Sequence, residues 1–114
     1  MDDERARELV ADERSRIEGA LRGLTSEVRA EGGQQADEPE DSGSELTTEM
    51  VDLALVEDLR DELEAVIRAE ERIVQGTYGR SVDSGLAIPD ARLEAEPLAE
   101  RTVEEQRRYD TGAR

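Results

Sequence analysis

Between Asp2 and about Glu31 the chain has no proline and sets Val10, Ile17, Leu21, Leu24 and Val28 at steps of seven, four and three. Those steps keep the side chains on one narrow stripe of a helix, the pattern of a helix packed against a single partner helix. Such a helix, near thirty residues, is roughly 45 Å long. Arg14 falls on the stripe and Gly19 and Gly23 flank it, so the helix is weaker than an ideal one. A second stripe of Val56, Leu59, Leu63, Val66 and Ile73 predicts a helix from about Glu45 to Val74 or Gln75. Leu53, Leu55, Ile67 and Val74 widen that stripe, which implies more than one neighbour near its C-terminal half.

Residues 32–44 interrupt the pattern. Gly32 and Gly33 are expected to stop the first helix, and Pro39 and Gly43 to keep the segment irregular. Ser42 followed by Glu45 reads as a capping box opening the second helix, with Ser44 as an alternative start. Two helices joined by about a dozen residues predict an antiparallel hairpin.

Gly76 is expected to end the second helix. Pro89 then suits the first turn of a short helix, Asp90 to Ala95, closed by Pro97, and a last helix runs over about Val103 to Tyr109 before a tail at residues 111–114. Thr102 and Glu105 form a second T-x-x-E capping box, and Ser81 and Ser84 are placed to hold a turn before Gly85 through their hydroxyls. Tyr78, Val82, Leu86, Ile88, Leu93, Leu98 and Val103 are expected to pack together and against the base of the hairpin. The fold class is therefore mainly α: a long two-helix coiled-coil hairpin over 1–75 and a small module over 76–110.

Charge changes the picture more than length does. The 114 residues hold 31 acids against 15 arginines, a net charge of −16, with Tyr78 and Tyr109 the only aromatic residues. A large core is not expected, and direct binding of nucleic acid or of anionic membranes is disfavoured because phosphate contacts need clustered cations. A basic protein surface or channel is the partner such a chain is drawn to. Without cysteine or histidine, neither a disulfide nor a tetrahedral zinc site is expected. The absence of a long apolar run or of a basic-then-apolar start predicts a cytoplasmic chain with no membrane span. An enzyme is not expected, since only carboxylates remain and none is paired in an apolar setting that shifts its pKa.

The order of residues from Tyr78 to Pro97 carries a more specific signal. Tyr78-Gly79, Gly85, Ile88-Pro89, Arg92-Leu93, Ala95 and Pro97, with the run I-P-x-x-R-L-x-A-x-P at its centre, resemble the TraR/DksA family of bacterial transcription factors over about thirty residues. That resemblance implies a four-cysteine zinc finger, and Ser81, Ser84, Thr102 and Glu105 stand where its cysteines would be. The spacing is that of a zinc site but the side chains are not, so the family's zinc is expected to be lost and no cofactor to replace it. A hydrogen-bonded cap at Thr102–Glu105 is expected in place of the metal clamp, the alternative being simple drift to small polar residues.

The same resemblance implies a function. In the family the hairpin enters the secondary channel of RNA polymerase and presents a D-P-x-D-x-A tip. Here Glu38-Pro39-Glu40-Asp41-Ser42-Gly43 stands in that place, with Glu for the first Asp and Gly for the Ala. No cation occurs between Arg29 and Arg60, so the charge is densest at that end of the hairpin. Glu38, Glu40, Asp41 and Gly43 are thus the expected partner-binding residues of a monomeric, non-catalytic regulator of RNA polymerase. On charge alone the tip reads as a solvated loop. Two further readings remain: an interaction or scaffold protein that binds another basic partner or self-associates, and a tip whose Glu38 and Asp41 help hold a catalytic Mg²⁺.

Overall fold

The computed structural model describes residues 1–34 and 42–112, with side chains for 1–24 and 53–112. Four helices follow in order: α1 Asp3–Gln34, α2 Ser42–Gln75, α3 Asp90–Ala95 and α4 Val103–Thr111. Among the described residues there is no strand, and one isolated antiparallel bridge joins Arg80 to Ala87. The chain divides into two compact units, one of residues 1–13 and 65–114, the other of residues 14–64.

Two helix ends depart from expectation. α1 continues through Gly32 and Gly33 to Gln34, because a glycine in a helix costs only about 1 kcal/mol and does not by itself break the backbone ladder. α2 already includes Ser42 and Gly43, so Ser42 is a helical residue and not the cap of a helix starting at Glu45.

In the unit of residues 14–64, Ile17 and Leu59 are buried, and Leu21, Leu24, Val56 and Leu63 are partly so. Arg14 stays on the apolar stripe by reaching Glu18 one turn on (3.1 Å), and Arg16 of α1 meets Glu62 of α2 at 3.4 Å. Both pairs are partly exposed and contribute well under 1 kcal/mol each, so the apolar contacts dominate.

The unit of residues 1–13 and 65–114 holds the denser core. Ala6, Leu9 and Val10 of α1, Val66, Ala69 and Ile73 of α2, and Ile88 and Leu93 beyond them are buried. Each fully buried Val or Leu contributes about 1.5–3 kcal/mol relative to exposure. The widened stripe of α2 is not covered as expected: Leu53, Leu55, Ile67 and Val74 are exposed. The module's apolar set is likewise only half buried, with Ile88 and Leu93 inside but Val82, Leu86 and Val103 open to solvent. A module this small has too little interior to enclose seven large side chains.

The turn after α2 follows from Gly76, whose φ of 78° is a left-handed conformation that a Cβ would strain. Its N–H donates to the Ile73 carbonyl (3.2 Å) and that of Thr77 to Arg72 (2.8 Å), the paired bonds of a Schellman ending. At the other end of this unit, Arg5 grips Glu94 of α3 with two bonds, of 2.9 and 2.6 Å, and so ties the start of α1 to α3.

Gly19 and Gly23 are exposed helical positions where a Cβ would meet nothing within 4 Å. Replacing either by alanine should raise the unfolding free energy by about 0.5–1 kcal/mol, read as a higher urea midpoint at unchanged slope. An unchanged or lower midpoint contradicts this placement of the two residues.

Candidate functional site

The four positions where the resemblance calls for metal ligands come together in the structure, around the first turn of α4. Thr102 is the N-cap of α4, and its capping box is complete. The Glu105 N–H donates to Thr102 Oγ1 (3.2 Å), and the Thr102 N–H donates back to Glu105 Oε1 (3.0 Å). Glu105 is buried, an uncommon place for a carboxylate, and its pKa is pulled down to about 2. The hydroxyl of Ser84 contributes most to that, then the backbone N–H of Thr102, then the hydroxyl of Ser81. Donors aimed at a carboxylate stabilise its charged form, which is why it stays ionised when covered.

The serines shape their own turn as well. Ser81 Oγ accepts from the N–H groups of Asp83 (3.1 Å) and Ser84 (3.3 Å), and Ser84 Oγ accepts from the N–H of Leu86 (3.2 Å). Gly85, at φ 76°, lets the chain reverse there while its N–H donates to the Ser81 carbonyl (2.9 Å). Two further links join this turn to the segment before α4. The Val82 N–H donates to the Glu100 carbonyl (2.9 Å), and Arg101 Nε reaches Asp83 Oδ2 at 2.8 Å. Arg101 also lies 3.8 Å above the Tyr109 ring, a cation–π contact that fixes the guanidinium between turn and helix.

Zinc does not fit this set. Three hydroxyls and one carboxylate stand where the resemblance calls for four thiolates, and neutral hydroxyls are poor zinc ligands. Their oxygens are moreover already engaged with backbone N–H groups of the turn and the helix start. What a metal would clamp is held here by a buried anion and its donors.

Sequence reasoning missed a second anchor. Glu100 receives Arg68 Nε and Arg72 Nη1, each at 3.0 Å, and so ties the segment between α3 and α4 to α2. Burial pushes the Glu100 pKa up, but the hydrogen bond and charge of Arg68, then the charges of Arg72 and Arg101, leave it below the ordinary carboxylate value. Arg72 is itself buried, and its Nη2 has no hydrogen-bond partner. The pair is therefore costly to desolvate, which offsets much of its attraction. Tyr78 completes the packing: burial raises its pKa, and its hydroxyl donates to the Pro97 carbonyl at 2.7 Å. The spacing of Arg68 and Arg72, one helical turn apart, was the available signal, but nothing local points it at residue 100.

Of the other expected site residues, Glu38, Glu40 and Asp41 lie outside the described residues, and Gly43 falls in the first turn of α2. Among the described residues no three acidic side chains gather closely enough to hold a metal ion, and no helix is long and apolar enough to cross a membrane.

Glu105 gives this network a pH signature. A carboxyl depressed from 4.5 to about 2 adds stability that is fully present above pH 4.5 and is lost as pH falls towards 2. Glu105→Gln should therefore be less stable than the parent chain at neutral pH, and that gap should close as the pH falls through this window. A gap independent of pH contradicts the buried-anion account. Thr102→Ala should cost about 1 kcal/mol in urea unfolding, with chelator making no difference to either protein.

No family model matches the chain. General stress protein 16O of Bacillus subtilis (strain 168) is 44% identical over 66 residues, which are 58% of this chain and 40% of that protein. The chain thus spans two-fifths of the length of that curated relative. Among solved structures, transcription factor DksA2 from Pseudomonas aeruginosa superposes with a TM-score of 0.80 over 96% of this chain and 84% of that one, at 24% identity. At that identity the likeness is one of fold: the chain has a DksA-like, mainly helical fold.

Proposed function

We propose that the protein is a DksA-like transcription regulator that binds RNA polymerase through its secondary channel and catalyses nothing itself. The observation that carries this reading is the shared fold with a transcription factor over 96% of the chain. The order of residues from Tyr78 to Pro97 and the run of acids around residues 31–58 point the same way. In this reading residues 1–75 form an antiparallel hairpin, for which the Arg16–Glu62 pair between α1 and α2 is one support. Residues 76–110 form a base that stands without metal. The acidic end of the hairpin, with Glu38, Glu40, Asp41 and Gly43, reaches into a channel lined by basic groups. A net charge of −16 would steer the chain towards such a channel and away from nucleic acid.

The tip residues suggest a modified action. Glutamate at 38 keeps the charge of an aspartate but reaches one methylene further, and Gly43 loosens a helix start that alanine would stiffen. Binding to polymerase is thus retained and the effect on initiation altered. The protein acts as a cytoplasmic monomer.

Purified RNA polymerase should retain the protein, and a transcript-cleavage factor that uses the same channel should displace it. Asp41→Asn should keep most of the affinity while losing the effect on transcription in vitro. Failure of polymerase to bind the parent chain overturns the reading in favour of an interaction protein with another partner.

A further inference from the structure

Of the four α2 residues left uncovered against expectation, Ile67 and Val74 lie in the unit of residues 1–13 and 65–114. Val74 is 87% exposed and Ile67 43% exposed, and two helical turns place them on one face. Two shallow, open grooves lie along that face. One, of about 260 Å³, is lined by Ile67, Glu70, Glu71, Val74 and Gln75. The other, of about 250 Å³, is lined by Arg7, Val10, Ala11, Glu70, Ile73 and Val74. They share Glu70 and Val74, and all these residues belong to the unit of residues 1–13 and 65–114. Open grooves of this size do not enclose a small molecule, which needs most of its surface covered. Apolar anchors one and two turns apart are instead how a groove receives the apolar face of a helix.

Charge decides which helix. A second copy of this chain would bring −16 to meet −16. The cations on this stretch of α2, Arg68 and Arg72, are both turned onto Glu100, while Glu71 stays exposed on the groove's rim. We infer that the Ile67–Val74 face seats an amphipathic helix of a protein partner, one whose apolar side chains are flanked by arginine or lysine. Arg7 on the opposite rim sets the orientation, placing the partner's cations over α2. This surface is built from α2 and the first turns of α1 and does not depend on how the acidic segment around residue 40 acts.

The test uses the full chain and two synthetic helical peptides, one with leucines flanked by lysines and one with glutamates in place of the lysines. The lysine peptide should bind saturably and the glutamate peptide should not. Changing Ile67 and Val74 together to Gln, which alters no charge, should weaken the lysine peptide by about tenfold or more. The thermal unfolding of that variant should stay close to the parent's, because Val74 is almost fully exposed and Ile67 nearly half so. Equal binding to parent and variant would reduce the effect to general attraction by an acidic chain and overturn the proposal. So would equal binding of the two peptides, or a dimer in sedimentation that the double substitution dissolves, which would make the occupant a second copy.

Discussion

A single buried carboxylate organises the C-terminal module. Glu105 sits at the third position of α4, covered by protein, and is kept ionised by hydroxyls and a backbone N–H drawn from two separate stretches of chain. Its donors, more than its covering, set the low pKa. That dependence runs both ways. The turn of residues 81–85 must close on itself for its serines to face the carboxylate, and α4 must start at Val103 for the carboxylate to be there. The capping box supplies the second condition and the Ser81 and Ser84 hydroxyls the first.

Around this pin the structure adds links that individually are weak and together fix position. Val82 to Glu100 and Asp83 to Arg101 join the turn to the segment between α3 and α4, Arg68 and Arg72 hold that segment to α2, and Arg5 holds α3 to the start of α1. Most of these pairs are partly exposed and worth less than the burial of Ile88 or Leu93. Their contribution is direction: a small module whose side chains do not fit zinc needs many shallow constraints where a metal ion would give a deep one. The Arg72 Nη2 left without a partner shows the cost of that arrangement.

What could be read from the chain beforehand was the local chemistry. Pro89 before a six-residue helix, Gly76 after a long one, and the T-x-x-E box at Thr102 each act over fewer than about five residues, and each lies where the pattern puts it. Legibility failed where two remote segments meet. Arg5 and Glu94 are 89 residues apart, and Arg72 and Glu100 are 28 apart. No periodicity relates them. Burial was misjudged for the same reason. Val74, Ile67, Val82 and Leu86 have the composition of core residues, but whether a stripe is covered depends on how many neighbours the fold supplies. The convergence of Ser81, Ser84, Thr102 and Glu105 was legible only through resemblance, since spacing suggested a metal that the side chains do not fit.

Glu105 carries its charge inside a cage of donors, and its carboxyl can be watched directly. A carbon-detected NMR titration that follows the Glu105 side-chain carboxyl through acid should show a midpoint near 2, well below those of the exposed glutamates. A midpoint at the ordinary glutamate value of 4.5 would mean that the carboxylate is not caged, and that the module is held together in some other way.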